Sequence, residues 1–511
     1  MAKRNSYIPC TLSNYRILED RMLNIKKNIG HSDEIAKKIY TSMDAYQADI
    51  PMHTYTADQG GIFNLEFSLD GRLLVAACEE KSVLIFDASN QRQIKKISDA
   101  HSSCVNCIRF LGSNMFATCS DDNTVKVWDT RRLKVAKRTL QGHSNWVKNI
   151  EYLERDQIMI TSAFDGSIYA WDLKSPTENN LLHNNVFKMN GLMRTKLTPD
   201  GSKMVICTTS GYIIIIHDLN LETLSNDVKS FRPNLYRLMQ LSGQTFPSVT
   251  IFNHLFNQNR KQNRLEFIDD FPNEAEVISS LQIHPMGWCA LSRNINAEEN
   301  EEWTAVHDIQ TRDPNDYRDA YRIVDEPAIP DDEDESADEE SVNRRPTDIW
   351  MGFITNEHLS AYRAQRGPNI PDSIHTTMGI INSGIIGHNA FRRQFRGRNE
   401  DENRIMINLP RLTHFAKEKS VGKGYIKELC FSSDGRIICS PFDKGIRLLG
   451  FNQHMQELCY CVPTQPKELY TIAEMNNYHP DVVVSCKFNP KHYQMVSGCL
   501  GGTIVWYKPI L

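Results

Sequence analysis

Two stretches of this chain carry a histidine, a hydroxyl, a carboxylate and an indole at matching intervals. In the first they are His101, Thr118, Asp122 and Trp128; in the second, His143, Thr161, Asp165 and Trp171. In both sets the Asp stands six residues before the Trp, and the Thr four before the Asp. The residue types match a nucleophile, its general base and an orienting carboxylate. They equally match a buried hydrogen-bond relay from His through Thr and Asp to the indole N–H, which fixes local geometry only if every member is satisfied. We read both sets as structural, because the repeat that contains them accounts for them. A third candidate, His101-x-x-Cys104-x-x-Cys107, has the look of half a zinc site. No second Cys/His pair lies at finger-like distance, and a spacing of three along a strand points Cys104 and Cys107 to opposite faces, so neither metal nor cofactor is expected there.

The elements that must position these residues repeat with a period of a little over forty. One unit runs DAHSSCVNCIRF to FATCSDDNTVKVWDTR, the next QGHSNWVKNIEY to MITSAFDGSIYAWDLK, each ending on Trp-Asp. That signature resembles WD repeats, which fold as four-stranded blades of a β-propeller. Less regular copies flank the pair. GGIFNLEFSLDGRLLVAACEEKSVLIFD, residues 60–87, ends on Phe86-Asp87 with Glu80 where the relay Asp would stand, and residues 189–218 end on His217-Asp218. A fifth blade is expected from EVISSLQIHPMGWCALSR to WTAVHDIQ, and a sixth over 424–451 around an SDG turn. In the last, Ser497, Gly501 and Tyr507 fall at the Thr, Asp and Trp positions. The fold class is therefore all-β, an about seven-bladed WD-repeat propeller closed by strand sharing between first and last blades.

Three segments break the rhythm. Residues 1–54 form a separate helical segment ahead of the propeller at 55–511. Ile17, Leu18, Met22, Leu23, Ile25 and Ile29 recur at largely helical spacing until Gly30. A second helix follows, capped by Ser32, with Asp33 and Glu34 in its first turn and Ile35, Ile39 and Met43 along one apolar face. Such a helix-loop-helix either inserts into a partner's groove or packs on the propeller itself. Residues 222–275 and 310–408 read as long insertions between blades. The second insertion holds the acidic run at 325–340 and FRRQFRGR at 391–398, and is read as largely disordered.

Composition narrows the function. Over 511 residues the net charge is −5, which gives no electrostatic pull toward nucleic acid or an anionic membrane. No stretch has signal-peptide character or the uninterrupted apolar length of a membrane span, so an intracellular protein is expected, nuclear or cytoplasmic. Thirteen cysteines do not alter this. Cys78, Cys119, Cys207, Cys439 and Cys499 fall in expected strands, where a reduced Cys is a small core residue. No phosphate-binding loop, metal constellation or nucleophile-base pair emerges, which leaves a rigid platform whose loops bind partners.

Arg131, two residues after Asp129 in WDTR, lies just beyond a strand, where its guanidinium can make a bidentate contact with a partner; Lys174 is its counterpart in the next repeat. The WDTR ending after SDDNTVKV resembles the box by which substrate receptors of cullin-4 RING ubiquitin ligases dock on their adaptor, the damage-specific DNA-binding protein. IFNLEFSLDGRLLVAACE, GHSNWVKNIEY, LMRTKLTPD, GKGYIKELCFSSDGR and SGCLGG are similar to WD-repeat members of that family, outside the two insertions. The resemblance implies a substrate-recognition subunit rather than an enzyme, with the adaptor and ligase core as partners and unknown protein substrates on another face. It implies adaptor contacts from Asp122, Asp129, Arg131 and Lys174 and from Leu18, Met22, Ile35 and Ile39 of the N-terminal helices. The alternative is a non-catalytic WD-repeat scaffold in another intracellular assembly, with the insertions as its binding elements.

Overall fold

Alternation of apolar and polar residues over five or six positions, interrupted by Asp-Gly turns, dictates short antiparallel strands. The turns are built alike: Ser68 and Ser432 each donate their Oγ to the Asp two residues on, Asp70 and Asp434, at 2.6 Å. Gly71 and Gly435 then complete the bend at φ +72°. At Gly435 a side chain is excluded twice, by that φ and because a Cβ would stand 2.1 Å from His284 of the neighbouring blade.

A computed structural model describes residues 31–46, 59–174, 183–228, 264–296, 301–311, 410–418, 426–457 and 465–510, with isolated positions at 22, 233 and 237. These residues form a seven-bladed β-propeller with two helices. The first strand of each blade packs against first strands of neighbouring blades and so lines the centre. In blades one to seven these strands are Ile62–Phe67, Val105–Phe110, Val147–Leu153, Leu192–Leu197, Val277–Ile283, Cys430–Phe431 and Val483–Phe488. The second, third and fourth strands follow outward, each antiparallel to the last. Connections from first to second and from third to fourth strands therefore emerge on one face, here the lower, and the remaining connections on the upper. Apolar clusters lie between neighbouring blades, as where Cys107, Ala117, Cys119 and Leu140 of blade two meet Val147, Ile150 and Trp171 of blade three.

The centre is polar. Glu66, Arg109, Glu151, Lys196 and Lys487 occupy one equivalent position on the innermost strands of blades one, two, three, four and seven. They form a chain of ion pairs: Lys487 to Glu66 at 2.6 Å, Glu66 to Arg109 at 3.4 Å, Arg109 to Glu151 at 3.6 Å and Glu151 to Lys196 at 2.7 Å. Burial by itself would raise the Glu151 carboxyl, but Lys196 and Arg109 outweigh it and hold the group below the usual range. Deeper still, Arg194 of blade four meets Glu428 of blade six at 2.7 Å, and Asn64 of blade one donates to Glu428 at 2.5 Å.

The organisation differs from the sequence expectation in two ways. Each insertion interrupts a blade before its fourth strand rather than separating blades. Blade four is completed by Leu265–Ile268, which pairs with Ile213–Ile216, and blade five by Leu412–Glu418, which pairs with Glu301–Asp308. The physical reason is position: a connection to a perimeter strand can lengthen into solvent without disturbing the inner strands, and loop closure grows only slowly with length. A short helix, Leu221–Asp227, opens the first insertion, N-capped by the Asn220 side chain on the Glu222 N–H at 3.0 Å. The acidic run at 325–340 and FRRQFRGR lie outside the described residues.

The second difference concerns the N-terminal segment. Helix α1, His31–Thr41, ends before Met43, and Met43–Ala45 is a strand. It pairs with Ile504–Pro509 as the outermost strand of blade seven, so ring closure is completed from the opposite end of the chain. A boundary at 54/55 therefore cuts through the propeller. Ala36, Ile39, Tyr40 and Met43 are buried against blades six and seven. Met43 reads as helical by its i, i+4 spacing, but the chain leaves the helix there for an edge strand, held at its two ends by the Ile510 N–H on Ser42 O and the Tyr46 N–H on Trp506 O, each at 2.8 Å.

Removing residues 31–46 is expected to destabilise the propeller by about 5 kcal/mol or more, since Ile39, Tyr40 and Met43 each lose roughly 1.5–3 kcal/mol of burial. Thermal unfolding of the truncated chain beside the full one measures this, and coincident melting curves would refute it.

Candidate partner-docking face

The two histidine sets are brought together by the fold. In blade two the Trp128 indole N–H donates to Thr118 Oγ1 at 2.9 Å, Thr118 Oγ1 lies 2.8 Å from His101 Nε2, and His101 Nδ1 lies 2.9 Å from Asp122 Oδ2. The order is Trp, Thr, His, Asp, so Asp122 ends the relay and does not adjoin the indole as expected. Geometry explains this: Asp122 sits in the upper-face turn between second and third strands, whereas Trp128 lies at that strand's lower end. Burial would raise the Asp122 carboxyl, but bonds from His101, Thr124 and Ser102 outweigh it and hold the group well below the usual range. In blade three Trp171 donates to Thr161 Oγ1 at 2.8 Å and Thr161 lies 2.7 Å from His143 Nε2. His143 Nδ1 then meets Ser167 Oγ at 3.0 Å and Asp165 at 3.4 Å. His101, Thr118 and Thr161 are buried, so the relays stand inside the blades they tie together. With both His101 nitrogens engaged, its pairing with Cys104 and Cys107 as metal ligands is not formed.

A third relay went unrecognised in the sequence. His479 Nε2 lies 2.6 Å from Ser497 Oγ, which is 2.9 Å from the Tyr507 hydroxyl. The signal was present: His479 precedes Ser497 by the same 18 residues that separate His143 from Thr161. Burial pushes the His479 imidazole down to about 3.

Arg131 stands in the loop between third and fourth strands of blade two. Its Nε and Nη2 fork onto Asp129 Oδ1 and Oδ2 at 3.0 and 2.8 Å, and its backbone N–H bonds Oδ1 at 2.9 Å. The side chain remains 71% exposed, so Asp129 orients a guanidinium that is still open to solvent. Those bonds hold the Asp129 carboxyl below the ordinary carboxylate range. The loop is fixed on the lower face by Thr130, whose N–H bonds Asn114 O at 2.9 Å. Exposed Arg132, Lys134 and Lys137 add positive charge. Lys174 is exposed at the same place in blade three, where its N–H bonds Asp172 at 2.9 Å.

Helix α1 is anchored on this lower face too. Its Asp33 pairs with Arg436 at 2.5 Å in the first turn of blade six, and Tyr40 meets Tyr493 edge-on at 6.3 Å in the first turn of blade seven. Leu69, Val135, Met286 and Tyr493, all exposed, stand in loops of the same face; no sequence pattern marks them, since loop apolar residues have no period.

The family model for the WD domain, G-beta repeat, matches residues 50–87, 92–129 and 134–172. A DDB1- and CUL4-associated factor 10 from Danio rerio is 35% identical over 487 residues, 92% of this chain and 78% of that protein. The protein of that name from Xenopus tropicalis is 35% identical over 480 residues, 89% of this chain and 86% of the relative. The one from Homo sapiens is 34% identical over 486 residues, 89% and 70% of the two chains. The chain belongs to the DDB1- and CUL4-associated factor 10 family. The factor 10 likeness thus extends well beyond the three blades that the repeat model matches.

Within this factor 10 frame, the residues expected to contact an adaptor divide. Asp129, Arg131 and Lys174 share the lower face with α1. Asp122 belongs to the upper-face end of a relay and cannot join them, because the third strand separates it from Arg131. Ile39 is buried and Ile35 half-buried against the propeller, so the apolar stripe of α1 is already covered. Periodicity reports that a stripe needs covering, not what covers it. Met22 is exposed, and Leu18 lies outside the described residues.

His479 gives a pH prediction. A base whose folded value, about 3, lies below its ordinary 6.5 contributes stability that is present above 6.5 and lost as pH falls toward the folded value. At pH 5 the loss from this group is about 2 kcal/mol. The destabilisation caused by His479→Gln should therefore shrink by about that much between pH 7 and pH 5 in denaturant titrations. A gap independent of pH would contradict the assignment.

Proposed function

We propose that this chain is an intracellular, non-catalytic substrate-recognition subunit of a cullin-4 RING ubiquitin ligase. It docks on the ligase's DDB1 adaptor through its lower face and presents protein substrates elsewhere, with ubiquitin transfer left to separate subunits. The observation that carries this reading is membership of the factor 10 family, over 92% of this chain in the Danio rerio match, joined to one coincidence of place. Arg131, held by Asp129, and α1, held by Asp33 and Tyr40, stand on one face with exposed apolar side chains and the positive loop at 131–137. Apolar anchors with an oriented arginine form a surface that recognises a partner offering apolar pockets and carboxylates.

Affinity capture of the wild type beside Arg131→Ala, with identification of bound chains, tests the proposal. The wild type should retain adaptor and cullin-4, and the variant should bind at least about tenfold more weakly at unchanged melting temperature, as expected for a lost bidentate charge contact. If neither chain accompanies the wild type, the reading fails and a scaffold in another assembly takes its place.

A further inference from the structure

At the junction of blades six and seven three thiols converge. Cys430 and Cys439 face each other across the first two strands of blade six, and Cys486 approaches from the innermost strand of blade seven. The Sγ atoms of Cys430 and Cys486 are 3.6 Å apart, and all three Sγ atoms lie within 4.8 Å of one another. All three residues are buried, and all are free thiols. Other buried cysteines, such as Cys78 and Cys207, serve as small core residues; a triad does more than filling a core requires.

The position of Cys430 sharpens the case. By strand register it occupies the place that in blades one, two, three, four and seven holds Glu66, Arg109, Glu151, Lys196 and Lys487. The central chain of charges thus ends at Lys487 beside a thiol.

We propose that Cys430, Cys439 and Cys486 form a three-sulfur site for copper(I). Among the described residues no fourth histidine, cysteine or carboxylate joins the group, whereas structural zinc closes its shell with four. A soft monovalent ion that accepts thiolate ligands fits three. Binding is coordination without redox change. Each Cu–S bond forms as its thiol proton passes to buffer, up to three protons for each ion, and copper stays in the +1 state throughout. Lys487 offsets part of the resulting negative charge.

The test uses the full chain, reduced and kept anaerobic, titrated with copper(I) against a chromophoric copper(I) chelator. One copper should be retained per chain, with proton release, and X-ray absorption should show a shell of three sulfurs. Cys430→Ser and Cys486→Ser should weaken retention about a hundredfold, while Cys119→Ser, in another buried pair, should not. Failure of the wild type to hold copper against the chelator, a two-sulfur or mixed shell, or equal retention by the Cys430→Ser/Cys486→Ser double variant would each overturn the site. The absorption measurement on wild type stands even if a variant fails to fold, and none of these readouts depends on adaptor binding.

Discussion

The structure depends on how charge is handled at its centre. Seven innermost strands converge there, and apolar side chains of differing size would leave either voids or collisions. Five blades instead contribute alternating charges at one register, from Lys487 through Glu66, Arg109 and Glu151 to Lys196. Buried ion pairs are poor sources of net stability, because desolvation consumes most of the Coulomb gain. Their value here is specificity, since each pairs only in one register of neighbouring blades. Arg194 and Glu428 make the same demand between blades that do not adjoin, so the set is satisfied only in a closed ring.

Around that centre the two faces are built by different chemistry. The upper turns are tied down by relays in which a hydroxyl links a histidine to a third-strand aromatic, in blades two, three and seven. Blade one has Ala76 and Phe86 at the equivalent places and relies on contacts such as that between Phe86 and Trp506, 6.4 Å apart. The lower face carries the Asp129-oriented Arg131 and the anchored α1. Burial makes the first set architectural, and exposure makes the second available to a partner.

The N-terminal segment joins closure to docking. Its helix covers the lower edge of blades six and seven, and the strand that follows completes blade seven against Ile504–Pro509. A partner that grips α1 therefore grips the element that closes the ring. This explains why the stripe of Ile35, Ile39 and Met43 misleads when read as a partner-binding surface. An amphipathic pattern is equally consistent with a partner's groove and with the chain's own blades, and only the distant sequence of blades six and seven decides between them.

Much was legible in local sequence. The recurring Trp-Asp closures, the Asp-Gly turns and the alternation of strands are short-range features, and short-range features dictate blades. Arg131 was legible because the residue following a strand end has a fixed place in the repeat. Long-range pairing was not. Neither the return of Met43–Ala45 to blade seven, nor the fourth strands beyond each insertion, nor the convergence of Cys430, Cys439 and Cys486 has any local signature. The sequence by itself determined what each blade is, through hydrogen-bonding groups a few residues apart. Tertiary structure alone decided which residues share a face, because closing a ring brings together side chains that no periodicity links.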